Sequence, residues 1–384
     1  MPWKDKTVEE LREEFKEAAR EAKNFSMLCR AFGISRKTGY KWIARQSVSD
    51  LSHAPHRVPG RTPAEVEDAI LQVRAENPAW GAKTIRKVLE NNGYPDLPCA
   101  RTVNNVLRRH GCISESESQK RTAFIRFQRA HCNELWQTDF KGDFPLLDGT
   151  RCFPLDILDD CSRFCLCIEA KSGAGGVIPT FETVFGTYGL PQAILSDNGG
   201  AFAGLRGGYT RFERWLMDLD VLPIHGRPLH PQTQGKIERF HRTMKNELLK
   251  RHAFLDLADA DRRLREWRVK YNEVRPHEAI GMLCPADVYI PSRRPYPPNI
   301  RAYEYSGTYP VIKVNFKGYL RFDRKEFYLS ETMVGAELEL RPLGGGVFAL
   351  CYRNYKIAEI DAAAEQLLNR HVSRLPDGHS PVLC

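Results

Sequence analysis

The chain has 384 residues, with 57 Lys and Arg against 48 Asp and Glu, for a formal charge of +9. That length suits two to four compact units, and a hydrophobic content of 42% excludes wholesale disorder. The basic excess points to a polyanionic partner, and 11 scattered cysteines without a CxxC pair argue against a structural zinc or a disulfide framework.

The opening MPWKDKTVEELREEF is too charged for a signal peptide, and no apolar run approaches a membrane span. A soluble, cytoplasmic protein with no membrane partner is expected. Thr7 is placed to cap a helix with Leu11, Phe15 and Ala19 on one face. A second helix is predicted around Ser26–Phe32. Gly33 supplies a turn, and Ser35 caps a basic third helix, Arg36–Arg45, with Tyr40, Trp42 and Ile43. This is the pattern of a helix-turn-helix over residues 1–50, whose last helix enters the major groove. Arg36, Lys37 and Lys41, beside Ser35, are the groove-facing candidates, although an ordinary three-helix bundle has the same spacing.

A Pro/His/Ser linker, 47–61, leads to a second helix-turn-helix-like unit over residues 62–111. Thr62–Pro63 starts it, Gly81 opens its second helix, and the basic helix Ala100–Arg109 closes it. Arg101 and Arg108, with Asn104, Asn105 and Arg109, suit contact with phosphates or bases, and equally a solvated surface.

After a basic bridge at 112–132, residues 133–291 read as a mixed α/β segment of order βββαβαβα. Strands are predicted at Glu134–Lys141, Arg151–Leu158, Arg163–Ala170, Gln192–Ser196 and Val221–His225, the third placing Cys165 and Cys167 on one face. Helices are predicted at about 176–188, 207–219 and from Gln234 onward. A Pro-rich joint, 290–298, precedes a strand-rich tail over 300–361, with hairpins at Gly318–Leu329 and across Gly344–Gly346. A small SH3-like β-barrel is expected there, serving DNA, a second subunit or plain packing, followed by a short helix.

This layout places Asp139 within the first strand, Asp197 at the carboxyl end of the fourth, and Glu238 in the first turns of the last helix. Active sites of open α/β sheets collect at strand ends. The stripe Ile237, Phe240, Met244 and Leu248 would seat that helix on the sheet and fix where Glu238 points. Three gathered carboxylates repel unless divalent cations hold them, and Mg²⁺, with Mn²⁺ as a substitute, prefers such oxygens. Two ions, about 3.5–4 Å apart, support in-line phosphoryl displacement. Lys236, Arg239, Arg242 and Lys245 share the helix with Glu238, where cations grip a phosphodiester chain; Asn198 is a further DNA-contact candidate.

The strings WQTDF, LDDCSRF, LPQAILSDNGGAF and HPQTQGKIERFHRTMKNEL together resemble the catalytic core of insertion-sequence transposases, in the DDE superfamily that includes retroviral integrases. The resemblance implies a multidomain protein: an RNase H-like α/β core with a mixed five-stranded sheet, all-α helix-turn-helix units before it, and a small β domain after it. It puts the catalytic and metal-binding triad on Asp139, Asp197 and Glu238. It also implies cleavage at 3′ ends followed by strand transfer, with double-stranded DNA as partner: the element's terminal inverted repeats and a target. A homo-oligomer on DNA is expected, in the bacterial cytoplasm on the nucleoid. Forty residues separate Asp197 from Glu238, more than is usual in the family, and AGLRGG at 203–208 reads as a local insertion. The retroviral zinc-binding module is missing, which favours a bacterial element.

Asp156, Asp159 and Asp160 are rival carboxylates, of which Asp159 or Asp160 is expected to shape the turn before the strand that Arg163 begins. Trp136 is expected in the core, and His230 and His241 in hydrogen-bonded structural roles. Two other functions compete: a catalytically silent helix-turn-helix DNA-binding regulator descended from a transposase, and an RNase H-like nuclease that never joins strands.

Overall fold

The computed structural model describes residues 7–50, 62–113, 128–204, 208–226 and 235–376. The chain divides into two compact units, Met1–Arg61 and Thr62–Cys384. Among the described residues no helix is long and apolar enough to cross a membrane. The predicted loop from His230 to Gln234, and residues 205–207 of the glycine-rich insertion, lie outside the described residues.

In the first unit Thr7 and Glu10 form a reciprocal capping box that starts α1 (Val8–Glu21). Asn24 caps α2 (Phe25–Ala31), and Ser35 caps α3 (Arg36–Ala44) through the Thr38 amide at 3.1 Å. Phe15, Cys29 and Trp42 form the small core. Gly39 permits the packing, since a Cβ there would lie 2.8 Å from the Cys29 Sγ. Arg36, Lys37 and Lys41 are exposed on α3.

The second unit opens with α4 (Ala64–Glu76), α5 (Ala82–Asn91) and α6 (Ala100–Arg109), closed around Ile70, Trp80, Ile85, Leu89, Val103 and Leu107. Arg101 and Arg108 are exposed, while Arg109 is held 2.5 Å from the buried Glu67. The core follows: β1 (Trp136–Phe140), β2 (Phe144–Pro145), β3 (Arg151–Asp159), β4 (Cys165–Lys171), α7 (Ile178–Tyr188), β5 (Ala193–Ser196), α8 (Arg211–Asp218), β6 (Leu222–His225), α9 (Gly235–Met244) and α10 (Leu257–Val269). Apart from the two-residue β2, this is the predicted order. The sheet runs β4-β3-β1-β5-β6, with β2 also pairing β3. β1 and β3 are antiparallel, whereas β1, β5 and β6 are mutually parallel. One face packs Trp136, Leu155 and Ile157 against α7 and α8; the other packs Leu158, Cys165 and Ile168 against Phe240 and Met244 of α9 and Leu264 and Trp267 of α10. This is the RNase H-like arrangement that the resemblance implies.

Two local expectations are corrected. Cys165 and Cys167 do not share a face: they pair with Leu158 and Ile157, across a register shift. The extra residue, Leu166, breaks the period-2 alternation. Its carbonyl accepts from Arg268, and Asn272 pairs both backbone groups of Cys165 at 2.9 Å. Among the described residues the short helix expected beyond residue 361 is absent, because Asp361 caps the amides of Ala363 and Ala364 in a tight turn. A short strand follows it.

The tail holds β7 (Val311–Lys313), the hairpin β8–β9 (Tyr319–Phe322, Lys325–Tyr328), β10 (Glu337–Gly344), β11 (Val347–Tyr352), β12 (Tyr355–Asp361), β13 (Gln366–Leu368) and β14 (Ser373–Arg374). The main sheet runs β13-β12-β11-β10-β7, with β14 beside β12, so among the described residues its pairing stays open where a closed barrel was expected. It is docked on the core, with Tyr209 and Met217 buried in one cluster with Leu338, Leu350 and Ile357.

Candidate active site

β1 carries Asp139 into the middle of the sheet. Its antiparallel register sets Asp139 opposite Asp156 on β3, so the two carboxyls project from the same face. On its other side β1 runs parallel to β5, with Gln137 level with Leu195. Two residues further along both strands, Asp139 comes level with Asp197, just past the end of β5. Neighbouring strands lie about 4.8 Å apart. Three aspartates therefore cross three adjacent strands. Burial pushes the Asp139 carboxyl up to about 6, with Asp197 and Asp156 adding to the effect and His241 opposing it.

The turn after β5 is built around Asp197, whose Oδ1 accepts the Gly199 amide at 3.0 Å. A Cβ on Gly199 would stand 3.0 Å from that same oxygen, so the turn depends on glycine. Asn198 is exposed and donates to the Gly226 carbonyl at 3.0 Å.

Each aspartate has a histidine at its back. His241 of α9 places Nε2 2.7 Å from Asp156 Oδ2 and Nδ1 3.9 Å from Asp139 Oδ2. Asp156 is fully buried, which pushes its carboxyl up, and its Oδ1 has no hydrogen-bond partner. On the Asp197 side, His225 places Nε2 2.8 Å from Glu213 and Nδ1 3.2 Å from the Ser196 hydroxyl. Burial works against the charged His225 ring, yet Glu213 and then Asp197 hold its pKa above the ordinary value. Ser–His–Glu is the order of a nucleophile relay, but Ser196 is 3% exposed, too buried to attack a substrate.

Glu238 is exposed in the first turn of α9, three residues before His241. Among the described residues no three His, Cys, Asp or Glu side chains are gathered closely enough to hold a metal ion. The structure thus brings Asp139 and Asp197 together and does not gather Glu238 with them. The pair still suits a hard divalent cation, which prefers carboxylate oxygens and would relieve the like charge that Asp197 and Asp156 add to the burial of Asp139.

Arg239, Arg242 and Lys245 are exposed along α9 and its π-helical continuation. Lys236 is different. Its ammonium bonds the fully buried Asp160, which also accepts from Gln137 at 2.7 Å and the Arg129 amide at 2.8 Å. Burial lowers the Lys236 pKa, against the pull of Asp160. Asp159 accepts the Asn133 and Ser162 amides, each at 2.8 Å, and so shapes the turn. Trp136 is fully buried. Asp156 as a partner of His241 escaped the sequence, where alternation along β3 gives its face but not the register that sets it against β1 and α9.

Two models of the integrase core domain match this chain, over residues 129–231 and 219–285, which contain Asp139, Asp197 and Glu238. Residues 129–285 thus match the integrase core domain. Curated relatives agree with that placement. An uncharacterized 39.2 kDa protein of insertion element IS476, from Xanthomonas euvesicatoria, is 30% identical over 156 residues, 40% of this chain and 43% of its own. An uncharacterized 31.7 kDa protein of IS407, from Burkholderia multivorans, is 29% identical over 40% of this chain and 54% of its own. The chain thus spans about half the length of these relatives. Among solved structures, the magnesium complex of the HTLV-2 integrase catalytic core domain is 17% identical, with a TM-score of 0.32 over 41% of this chain and 97% of its own. A simian T-cell lymphotropic virus intasome in complex with a PP2A regulatory subunit is 15% identical, with a TM-score of 0.39 over 80% of this chain and 98% of its own.

Proposed function

We propose that this protein is an insertion-element transposase that cleaves the 3′ ends of its element and joins them to target DNA. The observation that carries this is the level placement of Asp139 and Asp197 on adjacent parallel strands, beside the helix that bears Glu238 and a row of exposed cations. Asp139, Asp197 and Glu238 are the residues that would hold Mg²⁺ or Mn²⁺, two ions in all, which when bound activate the attacking hydroxyl and stabilise the leaving oxygen.

The chain's own residues grip and orient the DNA. Arg239, Arg242 and Lys245 engage phosphates near the scissile bond, with Asn198 as a further DNA contact. Lys236, tied to Asp160, secures α9 to the β3–β4 turn. Residues 1–50 and 62–111 act as helix-turn-helix units on the terminal repeats, through Arg36, Lys37 and Lys41 on α3 and Arg101 and Arg108 on α6. Residues 133–291 are the catalytic core, and the β module at 300–361 adds a contact to DNA or a second subunit. Joining two ends in one event requires more than one copy of the chain, so a homo-oligomer forms on DNA, in the bacterial cytoplasm.

The test is strand transfer: purified protein, a labelled duplex ending in the terminal repeat, a target plasmid and Mg²⁺ or Mn²⁺, beside Asp197→Asn. Metal-dependent joined products that vanish in the variant support the proposal. Repeat binding with neither nicking nor joining would replace it with a silent regulator, and nicking without joining with a nuclease.

A further inference from the structure

We propose that His241, anchored by Asp156, is a positioning residue that sets the direction of the Asp139 carboxylate toward its cation. It rests on the metal site proposed above and goes beyond it, since neither residue belongs to the triad.

Three observations carry it. Asp139 and Asp156 are direct cross-strand partners on one face of the sheet, and the His241 ring lies against both. The anchoring end is short: Nε2 to Asp156 Oδ2 is 2.7 Å, a charge-assisted hydrogen-bond length. The other end, at 3.9 Å, is too long for a hydrogen bond, so Nδ1 acts on Asp139 through its charge distribution and bulk. The ring is also immobilised. Its side chain is 11% exposed, and its neighbours Phe240 and Met244 are buried against the sheet.

Among the described hydrogen bonds, the Asp156 carboxyl is engaged by His241. A buried carboxyl with one bare oxygen is costly to a fold. Leu or Val at that place, between Leu155 and Ile157 on a strand buried on both faces, would cost nothing comparable. What the carboxyl supplies is a fixed ring tautomer and a fixed ring plane, one residue pair away from the metal-binding oxygen. Groups outside the ligand set that fix a ligand's orientation are typically worth about 10–100-fold in metal affinity when removed. Glu238 sits three residues earlier on the same helix, so the anchor also ties α9 to β3, the strand paired with the one that bears Asp139.

The experiment is calorimetric titration of Mn²⁺ into the DNA-free full-length protein, with unfolding midpoints measured in parallel. His241→Gln leaves an amide able to reach Asp156 but nothing where Nδ1 stood; Asp156→Asn removes the anchoring charge at constant size. Both are expected to bind Mn²⁺ about tenfold more weakly, and to need correspondingly more metal for half-maximal strand transfer, with little change in the unfolding midpoint. Asp139→Asn separates the two ideas. Loss of Mn²⁺ binding there, with wild-type affinity in folded His241→Gln and Asp156→Asn, would overturn the positioning role and leave the metal site standing. Undiminished binding in Asp139→Asn would overturn both. Should one variant fail to fold, the folded one decides by the same affinity comparison.

Discussion

At Gly199 a single added methyl group would touch the carboxylate that the turn presents. Its Cβ would lie 3.0 Å and 3.2 Å from the two Asp197 oxygens, and no positive φ is involved, so the effect is displacement of the carboxylate, not backbone strain. Gly199→Ala is expected to lower strand transfer roughly ten- to a hundredfold, because misplacing a reacting group by about 1 Å costs that order. The unfolding midpoint should stay put; a fully active variant would show that Asp197 is not held by this turn. A second residue-scale prediction concerns His277. Burial, with Arg275 adding, pushes its imidazole down to about 3, and its Nε2 is buried without a partner. The folded protein keeps the ring neutral, while the unfolded chain takes up a proton below about 6.5. Stability is therefore full above that value and falls as pH drops through it, by about 2 kcal/mol at pH 5. His277→Phe keeps the edge contact with Tyr271 and should flatten the denaturant midpoint between pH 7 and pH 5. An unchanged slope would assign the acid sensitivity elsewhere. At this scale the sequence revealed carboxylates at strand ends and on a helix. It did not reveal Asp156 with His241, 85 residues apart, which only register and helix docking bring together.

Among elements, local signals survived where packing agreed with them. Ser35, Thr7 and Gly33 delimit the three short helices as their chemistry dictates. In β8–β9 the turn residues Asp323 and Arg324 both take positive φ, as a two-residue hairpin demands. The signals failed where tertiary partners intervened. Period-2 counting cannot anticipate a bulge at Leu166 that Arg268 and Asn272 stabilise from another helix. Likewise, the helix-prone Ala362–Leu368 stretch lost to the Asp361 turn and to β12, with which Gln366–Leu368 pairs. Gly39 shows propensity and packing in direct competition. Alanine would favour α3 by about 1 kcal/mol. Its methyl would meet Cys29 at 2.8 Å and Phe15 and Phe25 at 3.0 Å, with Cys29 and Phe15 almost fully buried. Overpacking of that kind costs about 1–3 kcal/mol, so Gly39→Ala should destabilise the first unit. Faster amide exchange confined to α1–α3 is the expected signature; slower exchange would mean that the core relaxes around the methyl.

Across the Thr62–Cys384 unit, the Pro-rich stretch that reads as a joint is fastened to the core. Arg294 accepts the Leu190 amide at 2.7 Å and donates to the Pro191 and Asp220 carbonyls at 2.7 and 2.8 Å. Proline content marks where helices and strands stop, not whether the chain between them is pinned, so this was illegible in the sequence. Asp220 concentrates the coupling. It takes a left-handed φ of 56°, which Asp tolerates, at the turn between α8 and β6. Its carboxylate receives Asn354, Tyr355 and Arg374 of the β module, each at 3.1 Å, and lies 3.7 Å from Arg294. With Tyr209 and Met217 buried among β-module side chains, core and tail share one hydrophobic interior, so they should unfold as one cooperative body. Asp220→Ala strips the turn of its charge and leaves the Arg374 and Arg294 cations without a counter-charge, while alanine resists the left-handed φ. A loss of about 2–4 kcal/mol is expected. Asp220→Asn keeps the φ and most acceptors and should lose about half of that. In calorimetry the midpoint should fall by several degrees in the alanine variant while the unit keeps a single transition. A wild-type trace in which the tail melts ahead of the core would show that the shared interior does not couple them. The β module would then be free to reorient on DNA, and its contacts would have to be sought independently of the catalytic face.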